Sequence, residues 1–325
     1  RSHFGSRFSG PPGVACALRG TSLEGVMAHP LRVCQFNVLA PSARICPPLN
    51  SVPWRERHSA ICDMISRVGA DVVCLQEFDF APSTEGFAAL YEERLGKEFS
   101  LHLKQRTGFK QEGIALLLRR GVFEDVDVQS MNLEPGFCDR VALLARMRHA
   151  ATGRRLLLAN THLTVAHAHN DHDIPMCRPV QMAQVLAALS KAAPEDLVVA
   201  CADMNCDHLE TEAPTVRGGA SPYTAAEVSW PVHMALESGF VSALHAMSPA
   251  VRPISHTCSY AQDGCVDYVF FQPRPSFELA NAFLHPAQLQ ADTAWSPKNG
   301  WGLDPEATLS DHRPLIADFR LQMQE

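Results

Sequence analysis

Short apolar runs rich in β-branched residues recur along this chain, and most of them stop at a polar residue. Val72 to Leu75 is unbroken, which predicts a strand buried on both faces, and it gives way at Gln76 and Glu77. Leu31 to Phe36 ends in Asn37, and Arg155 to Ala159 ends in Asn160, Thr161 and His162. Leu197 to Cys201 leads into Asp203 and Asn205. Val266 to Phe271 carries Asp267 at its start, and Ser310, Asp311 and His312 stand directly before the run Pro314 to Ala317. A charged carboxylate is costly inside an apolar core, so Glu77 is expected at the open end of its strand, facing a cavity. One strand ending in an acid is ordinary. Repeated along one chain, the pattern predicts a single polar site built on sheet edges.

Other stretches follow helical spacing. Ile61, Met64, Ile65 and Val68 form one stripe, predicting a helix over Trp54–Val68 closed by Gly69. Phe87–Leu95 reads as a second short helix ending at Gly96. A β-rich stretch follows: Phe99–Lys104, Gly113–Leu118, Val122–Val128 and Val141–Met147, with the partial alternation of Glu124–Val128 suiting a half-exposed strand. Leu156–His162 is a strand, and Val180–Ala192 is a helix with Met182, Val185, Leu186 and Leu189 as its buried stripe. Leu197–Cys201 is a strand, and His233–Ser238 lies in a helix closed by Gly239. The last strands are Val266–Phe271, Phe277–Phe283 and Pro314–Leu321. Pro41 to Pro53 reads as a loop, and Asp71 and Asp79 as solvated caps. With no repeat or linker, residues 29–325 are expected to form one catalytic domain.

Composition narrows the function. The 325 residues are 46% apolar and 19% charged, as in ordinary globular proteins, and no apolar run approaches the roughly 20 residues that span a bilayer. The net charge of -7 excludes a global field attracting nucleic acid, so a phosphate-bearing substrate needs a local basic patch or a bound cation. Eleven cysteines, several within strand-like runs and none in a CxxC pair, point to a reducing compartment without disulfides. Residues 1–28 differ from the rest: Arg1, Arg7 and Arg19 mix with Ser, Gly and Pro. They are expected to be a disordered tail, a cloning remnant or an organelle-targeting remnant, with Met27 as a candidate natural start. The compartment is accordingly read as cytoplasmic or nuclear, or as a mitochondrion or other organelle if the segment is a targeting remnant.

The motifs FNVLA at Asn37, LQE at Glu77, NTHL at His162, ADMN at 202–205, VDYVFF from 266 and SDHRP from 310 resemble, in order, the endonuclease/exonuclease/phosphatase superfamily. The deadenylase, nocturnin and Angel branch is the nearest in pattern, and KQRTGFKQEGIALLL at 104–118 resembles the Angel-like proteins. The resemblance covers about residues 31–321. It implies an α/β fold, a four-layer α/β/β/α sandwich (DNase-I-like) with the active site at one edge of two sheets. It also implies Mg²⁺-dependent (alternatively Mn²⁺-dependent) phosphoester cleavage with one or two ions. Glu77 would supply the fixed carboxylate ligand of a hard cation, with Asn37 and Asp311 helping to hold the metal or its waters. A second cation would sit near Asp203, Asn205 and His312. Asp203 would activate the attacking water, His162 and Asn205 would meet charge on the phosphoryl oxygens, and Asp267 would orient His312.

Substrate residues implied by the same branch are Arg178 and Gln181, three apart at a helix start and so on one face. Arg106 and Lys110 in the RTGFK loop are candidates to hold a flanking phosphate, and Tyr260 to stack on a base. Gln262 stands where deadenylases tend to have Phe, which weakens a poly(A)-specific reading, and Glu112-Gly113 replaces the usual Asp-Gly. The expected activity is a 3′-exoribonuclease releasing nucleoside 5′-monophosphates. The alternatives are a phosphatase on RNA 2′,3′-cyclic or terminal phosphates, or on a small nucleotide such as NADP(H). RNA or a nucleotide is the expected partner of a monomer, with no membrane and no leucine-rich-repeat docking domain. From a different class, His167-Ala-His-Asn-Asp-His172 matches the HxHxDH signature of binuclear zinc hydrolases. It sits five residues past His162, is followed by Pro175 and Pro179, and lacks the Gly-bearing helix of that signature, which favours a His-rich loop. A catalytically dead binding module is disfavoured because no acid, amide or imidazole of the set is missing.

Overall fold

The computed structural model describes residues 28–42, 52–135, 139–165, 174–207, 230–249, 255, 264–287 and 309–324. Strands β1 (Ala28–Asn37) and β2 (Val72–Asp79) are joined through helix α1 (Trp54–Val68) and pair in parallel, with Asn37 opposite Gln76. The same unit recurs later. Strands β7 (Arg155–His162) and β8 (Leu197–Asp203) are joined through a helix over Ile174–Leu189 and pair in parallel, with His162 opposite Asp203.

Around β1 and β2 grows a six-stranded sheet. It adds β3 (Phe99–Gln105), β4 (Glu112–Arg119), β11 (Phe277–Leu284) and β12 (Leu315–Gln322), in the order β11-β12-β1-β2-β4-β3. Around β7 and β8 grows a second, with β5 (Phe123–Asn132), β6 (Val141–His149), β9 (Val241–Ser242) and β10 (Asp267–Phe271), in the order β5-β6-β7-β8-β10-β9. Between β2 and β3 lies α2 (Phe87–Leu95); the helix over Ile174–Leu189 is α3, followed by α4 (Trp230–Glu237) and α5 (Ala243–Met247).

Alternation along the central strands builds four layers. Leu31 and Val33 of β1 join a core shared with Leu158, Val199 and Val185 of the second sheet and α3. Cys34 and Phe36 turn the other way, onto Ile61, Ile65 and Tyr91 of α1 and α2. The order is therefore helices α1 and α2, first sheet, second sheet, helices α3 and α4, the sandwich expected from the resemblance. The seven described cysteines are all buried. Among the described residues no helix is long and apolar enough to cross a membrane.

Several expectations are corrected. β2 does not end at Glu77 but continues through Asp79, because the sheet ladder resumes at Phe78↔Gly113 after a bulge. Asp79 is buried rather than solvated: it accepts from the Ser42 and Ala81 amides and from Thr84 Oγ1, closing the turn after β2. Asp71 is half-buried and accepts from the Arg32 amide. Helix α3 starts six residues before the predicted Val180, running through Pro179. Cys177, Arg178, Gln181, Met182 and Val185 continue one buried face, so burial outweighs the hydrogen bond that Pro179 cannot donate. The tail 1–27, the loop residues 43–51, Tyr260, Gln262 and the His167–His172 motif lie outside the described residues.

Candidate active site

Each parallel unit delivers its polar residues at the carboxyl ends of its strands, and the two units face each other. Val33, Gln35 and Asn37 share the face of β1 that meets the second sheet. Asn37 therefore spans the layers: its Nδ2 donates to Glu77 Oε1 at 3.1 Å and to Asp203 Oδ2 at 2.9 Å. Strict alternation would send Glu77 with Val73 and Leu75 toward the helices. The bulge prevents this. Glu77 is the unpaired residue between Gln76↔Ile114 and Phe78↔Gly113, with φ of 53°, and its side chain is re-aimed into the site. Gly113 permits the local geometry, since a Cβ there would lie 2.2 Å from the Lys104 carbonyl oxygen. The Ala40 amide donates to Glu77 Oε2 at 3.3 Å.

Asp203 and Asp267 stand opposite each other in the β8–β10 pair. Asp267 is fully buried: Oδ1 accepts from Gln35 Nε2 at 2.7 Å, and Oδ2 accepts from Ser255 Oγ at 2.7 Å and lies 2.8 Å from His312 Nδ1. His312 Nε2 points back toward Asp203 Oδ2 at 3.8 Å. Asp203, Asp267 and His312 each offer a ligand atom, and these atoms lie within 4.8 Å of one another. Ser310 Oγ donates to the Asn37 carbonyl, which ties Asp311 and His312 to the end of β1. His162 Nε2 is 2.8 Å from Asn205 Nδ2, and the same amide donates to the Leu163 carbonyl at 2.9 Å. Asn205, at φ of 49°, donates its backbone N–H to Asp203 Oδ1.

The electrostatics follow from crowding acids in a buried space. Burial, with Glu112 and Asp311 nearby, pushes the Glu77 carboxyl up to about 8, against the pull of Asn37 and His312. Burial pushes Asp203 up to about 6, eased by His312 and worsened by Asp267. Burial opposes charging His312, but Asp267, Asp203 and Asp311 outweigh it and hold the imidazole protonated well above its ordinary value. Burial also opposes the Asp267 charge, yet His312, Ser255 and Gln35 overcome it and keep this carboxyl low. His162 stays neutral: burial, Arg140, Arg106 and His312 all depress it. Buried carboxylates that cannot all ionise are a donor set suited to a hard cation, whose charge would relieve Glu77 and Asp203 together.

Thus Asn37, Glu77, His162, Asp203, Asn205, Asp267, Asp311 and His312 converge at one sheet edge. The substrate candidates fare differently. Arg106 forms an ion pair with Glu112 and donates to the Asp139 carbonyl, at the margin of the site. Lys110 is exposed. Arg178 is not on an open helix face: it is 1% exposed and its Nη1 donates to the Asn205 carbonyl. Gln181 is fully buried and uses both side-chain polar atoms on Thr164.

Two groups went unread in the sequence. Gln35 sits within an apolar run and Gln76 at the end of one, and they form a buried chain with Asn160: Gln35 Nε2 to Gln76 Oε1 at 2.7 Å, then Gln76 Nε2 to Asn160 Oδ1 at 2.8 Å. A polar residue at a core-facing position of a strand was the available signal. Arg140, just before β6, is the other, and no local pattern marks it.

The profile of the Endonuclease/Exonuclease/phosphatase family matches residues 34–312. Nocturnin of Drosophila melanogaster is 23% identical over 338 residues, spanning 95% of this chain and 50% of that protein. Protein angel of the same organism is 25% identical over 210 residues, 57% of this chain and 56% of that protein. The chain thus spans about half the length of these curated relatives. Among solved structures, ANGEL2, described as a 2′,3′-cyclic phosphatase, superposes with a TM-score of 0.67 at 20% identity, over 92% of this chain and 100% of that one. The human nocturnin catalytic domain with bound sulfate gives 0.63 at 19% identity, over 90% and 94%.

Proposed function

The chain belongs to the Endonuclease/Exonuclease/phosphatase family, and on that premise we propose that it is an Mg²⁺-dependent phosphodiesterase that removes nucleoside 5′-monophosphates from the 3′ end of RNA. The observation that carries this reading is Glu77: a half-buried carboxyl held by Asn37 and pushed up to about 8 by desolvation and then by neighbouring acids, in a cluster that also holds a protonated imidazole. A site of that composition suits a cation and a phosphate together. Glu77 and Asp311 would hold Mg²⁺, or Mn²⁺, with Asn37 fixing the Glu77 carboxylate. The ion would neutralise charge on the phosphoryl oxygens.

The chain's own groups supply the rest. Asp203, near 6, is a base matched to neutral pH; it orients the attacking water and takes its proton. His312, kept charged by Asp267, donates to the phosphoryl oxygens as negative charge builds. Asn205 holds the His162 ring against the same site. Gln35 and Ser255 keep Asp267 ionised and fixed, so they act through it on His312.

Removal of a 2′,3′-cyclic or terminal phosphate from RNA is the second reading, favoured by the likeness to the ANGEL2 structure. The test is product analysis with Mg²⁺ on end-labelled poly(A), other RNA, RNA ending in 2′,3′-cyclic phosphate, and NADPH. A ladder of shortened RNA with nucleoside 5′-monophosphates supports the exonuclease. Loss of the end group alone moves the assignment to the phosphatase, and turnover of NADPH alone to a small-nucleotide phosphatase.

A further inference from the structure

Arg140 leaves the sheet beside the catalytic end of β7, since Ala142 of β6 pairs with Thr161, the neighbour of His162. It is 4% exposed, and its Nε and Nη1 are buried without a hydrogen-bond partner among the described residues. Among the described residues its ion-pair contact is loose, Nη1 to Glu112 Oε1 at 3.9 Å. That carboxylate is already engaged by Arg106, so two guanidinium groups share one acid. Burial and then the nearby Arg106 disfavour the Arg140 charge, and both guanidinium fields reach His162. Toward the site, Arg140 feels Asp203 and Glu77. A planar guanidinium is rarely buried with its donors unused, because each unmade bond carries a desolvation penalty. When a cation offsets Glu77 and Asp203, the Arg140 charge loses these counter-charges, and an anion at the site would replace them.

We propose that Arg140 is a phosphate-binding residue of this site, its guanidinium donating to non-bridging oxygens of the substrate phosphate on the side lined by His162. Arg106 then has a different part: paired with Glu112, it holds the shared acid away from Arg140 and leaves Arg140 free for the ligand. The inference rests on the phosphoester reading but not on which ester is cleaved. It extends that reading by adding a fixed, buried fork for oxygens that the exposed Lys110 cannot supply.

The competing account is that Arg140 only balances nearby acids. Binding of inorganic phosphate, measured by thermal shift with Mg²⁺ present, separates the two. Arg140→Lys keeps the charge and loses the fork, and Arg140→Gln loses both. Loss of a charge-assisted hydrogen bond should weaken phosphate on the order of 10-fold or more in either variant, and raise KM for substrate in step. The double variant Glu112→Gln/Arg140→Gln should stay as weak as Arg140→Gln. Wild-type phosphate binding in Arg140→Lys, or its recovery in the double variant, overturns the role of Arg140 alone. A wild-type chain that phosphate fails to stabilise overturns the phosphoester reading as well.

Discussion

Glu77→Gln removes one charge while keeping the shape and the Asn37 contact, losing besides the charge only the long 3.3 Å acceptance from the Ala40 amide. The ordinary value of 4.5 is raised to about 8 in the folded, metal-free chain. The native state therefore holds a proton that the unfolded chain has lost over this interval. Stability from this proton is complete below 4.5 and disappears as pH rises through about 8. At about 1.36 kcal/mol per unit, the full interval has a ceiling of about 5 kcal/mol. Glu77 is half-buried, so solvent screens part of this, and about 2–3 kcal/mol is the expected loss for the metal-free wild type. In a chain of this size that corresponds to a fall in Tm of roughly 5 °C between pH 5 and pH 8.5.

The assay is thermal unfolding across that range in chelator, then with added Mg²⁺. Metal-free Glu77→Gln should show a flatter profile and unfold above the wild type at pH 8.5. With the ion added, the order should reverse. At about a thousandfold its dissociation constant Mg²⁺ adds about 4.1 kcal/mol to the wild type, more than the loss it must offset, and little to a variant lacking the carboxylate. Parallel pH profiles in chelator, or equal Mg²⁺ stabilisation of both proteins, would refute the reasoning that places Glu77 as a frustrated, half-buried acid awaiting a cation.

Asp203→Asn should lower kcat by about 10²–10⁴-fold and remove the acidic limb that the wild type shows near pH 6, below which the base is protonated; activity within tenfold of wild type assigns the base elsewhere. Arg178→Ala should lower kcat more than it raises KM, because this buried arginine holds the Asn205 carbonyl rather than an open surface; the opposite split in steady-state kinetics would return it to the substrate. Activity should follow Mg²⁺ or Mn²⁺ and survive a zinc-selective chelator and the His167→Ala and His169→Ala changes; inactivation by either, with zinc restoring the chelated protein, would install the HxHxDH motif as the metal centre.

The parts of the site visible in the sequence are those that local periodicity places. Asn37, His162, Asp203 and Asp267 stand at the ends of strands whose apolar runs are unambiguous. The alternation Val33, Gln35, Asn37 already puts Asn37 on the inner face. Glu77 was legible as a polar break but not in direction. Periodicity aims it at the helices, and only pairing with Gly113, some 36 residues on, creates the bulge that turns it. Arg178 and Gln181 were legible as neighbours on one face, yet which face depended on α3 starting before Pro179.

The hydrogen-bonded chain beneath the site has its meaning in contacts between layers, which no single run displays. Gln35 and Gln76 belong to the first sheet, Asn160 and Asp267 to the second, and hydrogen bonds link all four beneath the catalytic edge. Asn160 Nδ2 carries the link back to the Leu75 and Ala115 carbonyls of the first sheet. A purely apolar interface would let the two sheets slide with little penalty, since apolar packing has no direction. This buried chain has one register, because displacing the sheets leaves several donors unpaired. The His312–Asp267 contact is made by a residue just before β12 in one sheet and another at the start of β10 in the other. The polar chain thus fixes the spacing on which that contact and the Asn37–Asp203 bridge both depend. A single strand-forming run cannot encode such a spacing; it arises only when two sequence-distant βαβ units close on each other.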